Sequence, residues 1–113
     1  MRNYKVFIAC DTTKISKVKK IIKNTKNKQI KIGYKFGLEF LNSKYGRKYI
    51  STLKNKVIFG DYKISDIPNT SASILGAVKD LKFNYVTIHI NSGLDSLIAA
   101  KKKAGRTKLI GVT

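Results

Sequence analysis

The chain has 113 residues, 42% of them hydrophobic and 10% aromatic, which suits one small globular domain with its own core. No apolar run approaches the roughly 20 residues that a membrane-spanning helix needs, and a single cysteine, Cys10, excludes a disulfide framework within one chain and points to a reduced, cytoplasmic setting. The net charge of +18 is spread along the whole chain, which reads as a compositional bias toward Lys on outer helix faces rather than a nucleic-acid surface, with attraction of anionic substrates as a by-product.

The chain begins MRNYKVFIACD. Its short apolar stretch runs straight into Asp11 and reads as a first strand over 4–10, not a signal peptide. In this setting Cys10 reads as a small buried hydrophobe. Ile15, Val18 and Ile22 fall at helical spacing in a helix over 14–23, with lysines on the other face. After a polar loop, Ile30, Ile32, Tyr34 and Phe36 alternate in a second strand over 29–36. A second helix is predicted over 38–53, interrupted near Gly46, and a third strand over 56–63. Pro68 suits the first turn of a third helix, which carries Ile74, Leu75, Val78 and Leu81 on one face. A fourth strand covers 83–90. A fourth helix covers 94–103, with Leu97 and Ile98 facing inward. KLIGVT, 108–113, starts a fifth strand.

This alternation is (βα)4β, an α/β class with parallel strands and right-handed crossovers. Two architectures fit: an open doubly wound sheet, or about half of a (β/α)8 TIM barrel, which needs about 250 residues when complete. The apolar ending favours the half barrel, with residues 1–113 as one partial domain. Ionisable residues close four successive strands: Asp11, Lys35, Asp61 with Lys63, and His89. That rim is where barrel chemistry resides. Gly33, Gly37 and Gly60 lack the spacing of a phosphate loop and are expected to relieve crowding near strand ends. His89 is the single histidine of the chain, so a multi-histidine metal site is excluded within it.

Only six residues are acidic, so each carboxylate is a candidate for a specific task. On a strand, Asp61 and Lys63 share a face. Asp66 follows after a short turn and is expected to fold back, leaving Lys63 held between two carboxylates. Such neighbours favour the ammonium form. Lys63 would then be a fixed proton donor rather than a Schiff-base nucleophile. An ion pair that merely closes the rim satisfies the same spacing.

The segment DYKISDIPNT, residues 61–70, resembles the signature of the orotidine 5'-phosphate decarboxylases, Asp-x-Lys-x-x-Asp followed by Ile-Pro-Asn-Thr. FIACD, YKFGLEF, VTIHINSG and LIGVT resemble, in order, that family's first, second, fourth and fifth strands. In YKFGLEF the site lysine maps to Lys35 rather than Lys31, because Gly-Leu-Glu follows it. Two departures are a Ser at 65, where the family often has His, and Gly93-Leu94 in place of a Gly-Gly pair.

The resemblance implies a cofactor-free and metal-free lyase that converts orotidine 5'-monophosphate to UMP and CO2 in pyrimidine biosynthesis. It assigns catalysis to Lys63, Asp61, Asp66 and Lys35. Asp61 presses on the substrate carboxylate, and Lys63 stabilises and protonates the carbanion at C6. Substrate contacts fall to Asp11, Lys35, Ile67 and Thr70. Asp11 and Lys35 hold ribose hydroxyls, and Asp66 and Thr70 reach the neighbouring site of a homodimer. The family's phosphate-gripping loops map beyond Thr113, so this stretch alone is expected to be inactive or very weak.

Three alternatives remain at this point. A sister family handling keto-sugar phosphates as a decarboxylase or aldolase shares Asp-x-Lys-x-x-Asp and uses Mg²⁺; Glu39 tempts that assignment, and Ile-Pro-Asn-Thr argues against it. A basic RNA-binding module would show aromatics among exposed basic residues, and Tyr45 and Tyr49 near Lys44, Arg47 and Lys48 are the nearest approach. A half barrel that pairs with itself or a partner is the third.

Overall fold

The computed structural model describes residues 5–113. Tyr4, read as the start of the first strand, lies outside them. The elements alternate as β1 (Lys5–Ala9), α1 (Ile15–Asn24), β2 (Lys31–Gly37), α2 (Leu38–Leu41), α3 (Gly46–Ser51), β3 (Val57–Ile64), α4 (Pro68–Ala77), β4 (Tyr85–His89), α5 (Leu94–Ala104) and β5 (Lys108–Val112). Short 3-10 turns at Lys79–Leu81 and Ile90–Ser92 flank β4. Within the first unit β1 is parallel to β2, and within the second β4 is parallel to β5. The chain divides into two compact units at Phe59 and Gly60, within β3.

In the first unit, Val18 and Ile22 of α1 are buried, while its lysines are exposed. Thr25 closes that helix: its hydroxyl donates to Ile21 O at 2.7 Å and lies 2.8 Å from the Tyr34 hydroxyl of β2. Tyr34 and Phe36 point into the core, as their alternation requires. Ile30 does not. It is exposed and precedes the strand, because the Asn27 side chain accepts the N–H groups of Gln29 and Ile30 in a turn. The first strand is less buried than its apolar run predicts: Lys5, Val6 and Ala9 are exposed, and only Cys10, just past its end, is fully buried. Among the described residues β1 has a strand neighbour, β2, on one flank only, which leaves its other flank open.

The helix predicted over 38–53 is two short helices. Asn42 and Ser43 fold their side chains back onto Leu38 O and Phe40 O, ending α2 by local competition for its carbonyls. Gly46 then opens α3 against the Phe40 carbonyl; a Cβ there would lie 1.8 Å from that oxygen.

In the second unit, α4 starts at Pro68, as expected, and ends at Ala77. Leu75, Val78 and Leu81 are buried, the last two beyond the helix proper. In α5 the inward face differs from the prediction. Ser96, Ala100 and Ala104 are buried, while Leu97 is half-buried and Ile98 exposed. Small residues at a spacing of four let α5 lie close against α4, so the larger residues turn outward. Crowding explains two of the three strand glycines. A Cβ at Gly33 would meet the Phe7 ring and one at Gly60 the Tyr62 ring, whereas Gly37 has nothing within 4 Å.

Candidate active site

The centre of the second unit's polar cluster is the carboxyl end of β3. Asp61 is mostly covered, its side chain 13% exposed, while that of Lys63 is 51% exposed. Lys63 Nζ donates to Asp61 Oδ2 at 2.6 Å. The two point the same way, as strand alternation predicts. The backbone between them is not regular strand, however, because Lys63 has φ +47°, a left-handed conformation rare for residues with a Cβ. Its amide donates to the Thr87 hydroxyl of β4 at 2.9 Å, and that hydroxyl donates to Asp61 Oδ1 at 2.8 Å. Asp61 thus receives a different donor on each oxygen. A charge-assisted bond of this kind is about twice as strong as a neutral one, which compensates the carboxylate for its lost hydration.

Asp66 does not complete a clasp around Lys63. Its Oδ1 accepts the next N–H in the chain, Ile67 N, at 2.8 Å. Its main-chain carbonyl is held by Ser71 Oγ at 3.1 Å and Ser96 Oγ at 2.7 Å, and Ser92 Oγ reaches Ile64 O at 3.3 Å. Serines from α4, α5 and the turn before α5 therefore strap this loop down. The expected two-carboxylate lysine is corrected to a lysine paired with Asp61. The cause is local: an Asx-type bond to the adjacent amide costs no chain rearrangement. Ile67 is 64% exposed and Leu94 70%. With Ser65, Asp66, Pro68 and Gly93 they line an open pocket of about 570 Å³. Thr70 is half-buried, within the first turn of α4.

In the first unit, Lys35 is half-buried on β2, opposite Ala9 in the register, and its carbonyl accepts Cys10 N–H at 2.9 Å. Asp11 is exposed just past β1. Lys31 is exposed at the opposite, amino end of β2, so Lys35 holds the rim position. Burial, then the Asp11 charge, pushes the Cys10 thiol up to about 11. Burial, then Cys10, also raises the Tyr49 hydroxyl. Cys10 Sγ lies 3.8 Å from Ile8 O, consistent with its reading as a core residue. Glu39 is exposed in the first turn of α2. Among the described residues, no three His, Cys, Asp or Glu side chains come together as a metal site, and no helix is long and apolar enough to cross a membrane.

Thr87, Ser71 and Ser96 were not among the residues expected from sequence. Thr87 lies within the VTIHI run, and a hydroxyl in an apolar strand was the signal available for it. The serines carry no such signal, since buried and exposed serines look alike in a helix.

Residues 4–113 match the family described as Orotidine 5'-phosphate decarboxylase / HUMPS family. The orotidine 5'-phosphate decarboxylase of Streptococcus sanguinis (strain SK36) is 32% identical over 116 residues, a match covering 100% of this chain and 50% of that protein. The enzyme of that name from Thermosynechococcus vestitus is 40% identical over 84 residues, covering 71% of this chain and 36% of that one. The crystal structure of the Lactobacillus acidophilus enzyme superimposes with a TM-score of 0.83 at 28% identity, covering 98% of this chain and 53% of the other. The Methanocaldococcus jannaschii orotidine 5'-monophosphate decarboxylase, complexed with inhibitor BMP, gives 0.84 at 26%, covering 99% and 53%. The chain spans about half the length of the curated relatives it matches along its whole length, in keeping with the expected half of a (β/α)8 barrel. With its match running over 4–113, the chain belongs to the orotidine 5'-phosphate decarboxylase / HUMPS family.

Proposed function

We propose that this protein serves the decarboxylation of orotidine 5'-monophosphate to UMP. The observation that carries this is the Asp61–Lys63 pair, in which an accessible ammonium is held at 2.6 Å by a largely covered carboxylate. The sister family weighed from the sequence handles keto-sugar phosphates; the named relatives, both orotidine 5'-phosphate decarboxylases, favour the pyrimidine substrate.

In this reading the C6–carboxylate bond breaks, CO2 departs, and the electron pair remains on C6. The Lys63 ammonium stabilises that pair and transfers a proton to C6; the amine then regains a proton from solvent. Asp61 disfavours the substrate carboxylate before reaction and fixes the ammonium. The device is electrostatic preorganisation, and it needs no cofactor. Asp11 and Lys35 take ribose hydroxyls. Ile67 lies against the substrate. Asp66 and Thr70 serve the neighbouring site of a homodimer, a reading supported by the exposed apolar side chains of Ile67 and Leu94 beside them. The setting is cytoplasmic.

The test is UMP formation from orotidine 5'-monophosphate by the purified protein, with and without a chelator. Turnover indifferent to chelation is expected. Turnover lost on chelation, or seen only with a keto-sugar phosphate, would transfer the chain to the Mg²⁺-using branch.

A further inference from the structure

We propose that Thr87 is a positioning residue for the Asp61–Lys63 pair, acting through its hydroxyl on both partners at once; this rests on the decarboxylase reading above. Thr87 sits in the middle of β4, opposite Ile110 of β5, between the fully covered Val86 and Ile88. It is itself 4% exposed. A hydroxyl has one hydrogen to give. Here the Lys63 amide can only donate and an ionised carboxylate can only accept, so that hydrogen goes to Asp61 and a lone pair takes the amide. The polarity of the bridge is fixed by its partners. One side chain thereby holds two things that the chemistry needs.

The first is the direction of the carboxylate. Thr87 donates to Oδ1 while the ammonium donates to Oδ2. The terminal Asp torsion is broad and poorly restrained on its own, and the bond to Thr87 is one restraint on it. The second is the backbone of Lys63. A left-handed residue with a Cβ persists only where its surroundings over-determine it. The amide bond to Thr87 is a long-range tie on that residue, reaching 24 positions along the chain. Thr87 touches neither reacting atom in this scheme; it acts through Asp61 and Lys63.

The test uses the protein at its full natural length and two substitutions. Thr87→Val keeps the shape and removes the hydroxyl; Thr87→Ser keeps the hydroxyl and removes a methyl group. For Thr87→Val we expect kcat to fall about tenfold to a hundredfold, with KM changed by less than about threefold, because the loss is of transition-state alignment and not of substrate contact. Hydrogen exchange of the Lys63 amide, followed by NMR, should speed up at least about tenfold as its acceptor disappears, while the Val86 and Ile88 amides keep their protection. Thr87→Ser should restore both readouts. Wild-type turnover and exchange in Thr87→Val would overturn the proposal, as would a serine variant impaired as badly as the valine one, which would reduce Thr87 to a packing residue. If the wild-type protein does not turn over orotidine 5'-monophosphate, the decarboxylase reading falls. The exchange data then decide on positioning alone: acceleration reversed by serine supports it, and unchanged exchange refutes it.

Discussion

At Lys63 the chain keeps a backbone angle of +47° that costs a residue with a Cβ about 1–2 kcal/mol. Under the decarboxylase proposal, the ammonium at its tip is the reason that glycine, the less strained choice, is absent. Two substitutions separate these roles. If Lys63 is the proton donor proposed above, Lys63→Ala is expected to lower kcat by at least about a hundredfold. Lys63→Gly should be equally inactive, yet more stable than Lys63→Ala by about 1 kcal/mol in urea unfolding, because relief of the left-handed strain outweighs the extra chain entropy that glycine loses on folding. Equal stability of the pair would deny the strain. Cys10 makes a second prediction. Its thiol is raised from 9.0 to about 11, so between those values the unfolded chain loses a proton that the folded chain keeps. Stability is therefore intact below pH 9 and falls as pH rises through 11, by up to about 3 kcal/mol. Tyr49, also raised, contributes in the same direction above its ordinary value of 10.0. Cys10→Ala should flatten the cysteine part of that slope in unfolding curves taken from pH 8 to 11. The same burial should leave Cys10 unreactive toward alkylating reagents at neutral pH until the protein unfolds.

Among the elements, the two short helices between β2 and β3 are the most sensitive to a single atom. Gly46→Ala places a methyl group on the Phe40 carbonyl and should cost about 3 kcal/mol, since a backbone atom cannot step aside as a side chain does. Gly37→Ala is its control: nothing lies within 4 Å and φ is −91°, so thermal unfolding should shift by no more than about 0.5 kcal/mol of stability. These elements also show what was legible in the sequence. Alternation of strand and helix, the break near Gly46 and the start of α4 at Pro68 all follow from periodicity and breaker residues. The inward face of α5 did not, because Leu97 and Ile98 outrank Ser96 and Ala100 in hydrophobicity while only the small residues permit close approach to α4. In the candidate site, Asp61 and Lys63 were readable from a spacing of two on a strand. The turning away of Asp66 was not, since it depends on which amide lies nearest once the loop is strapped. Thr87 is joined to the pair by β3–β4 pairing, a contact that spacing along the chain cannot reveal.

Across the whole molecule, charge is the dominant feature. Under the decarboxylase proposal, the net charge of +18 on residues 1–113 would give a field that speeds the arrival of a phosphate-bearing substrate, and salt would screen it over a Debye length of about 8–10 Å under ordinary conditions. For the protein at its full natural length, kcat/KM is therefore expected to fall as ionic strength rises from 0.01 to 0.5 M while kcat holds, measured by initial rates in a salt series. A flat profile would confine the lysines to solubility. Residues 1–113 span about half of their relatives and, under the decarboxylase proposal, are by themselves expected to show little or no turnover, since remote binding energy on the phosphate would drive chemistry at the reacting carbon. Robust UMP formation by that stretch would refute this.

The hydroxyl bridge has a consequence in time. Asp61 and Lys63 leave the ribosome two residues apart, but Thr87, which orients them, follows 26 residues after Asp61. At about 5–20 residues per second, that is a lag of roughly one to five seconds. During that interval the nascent chain carries both charged groups without their alignment. Arrival of β4 brings the hydroxyl that bonds both residues, so on the positioning proposal the aligned geometry belongs to a later stage of synthesis than the residues that bear it.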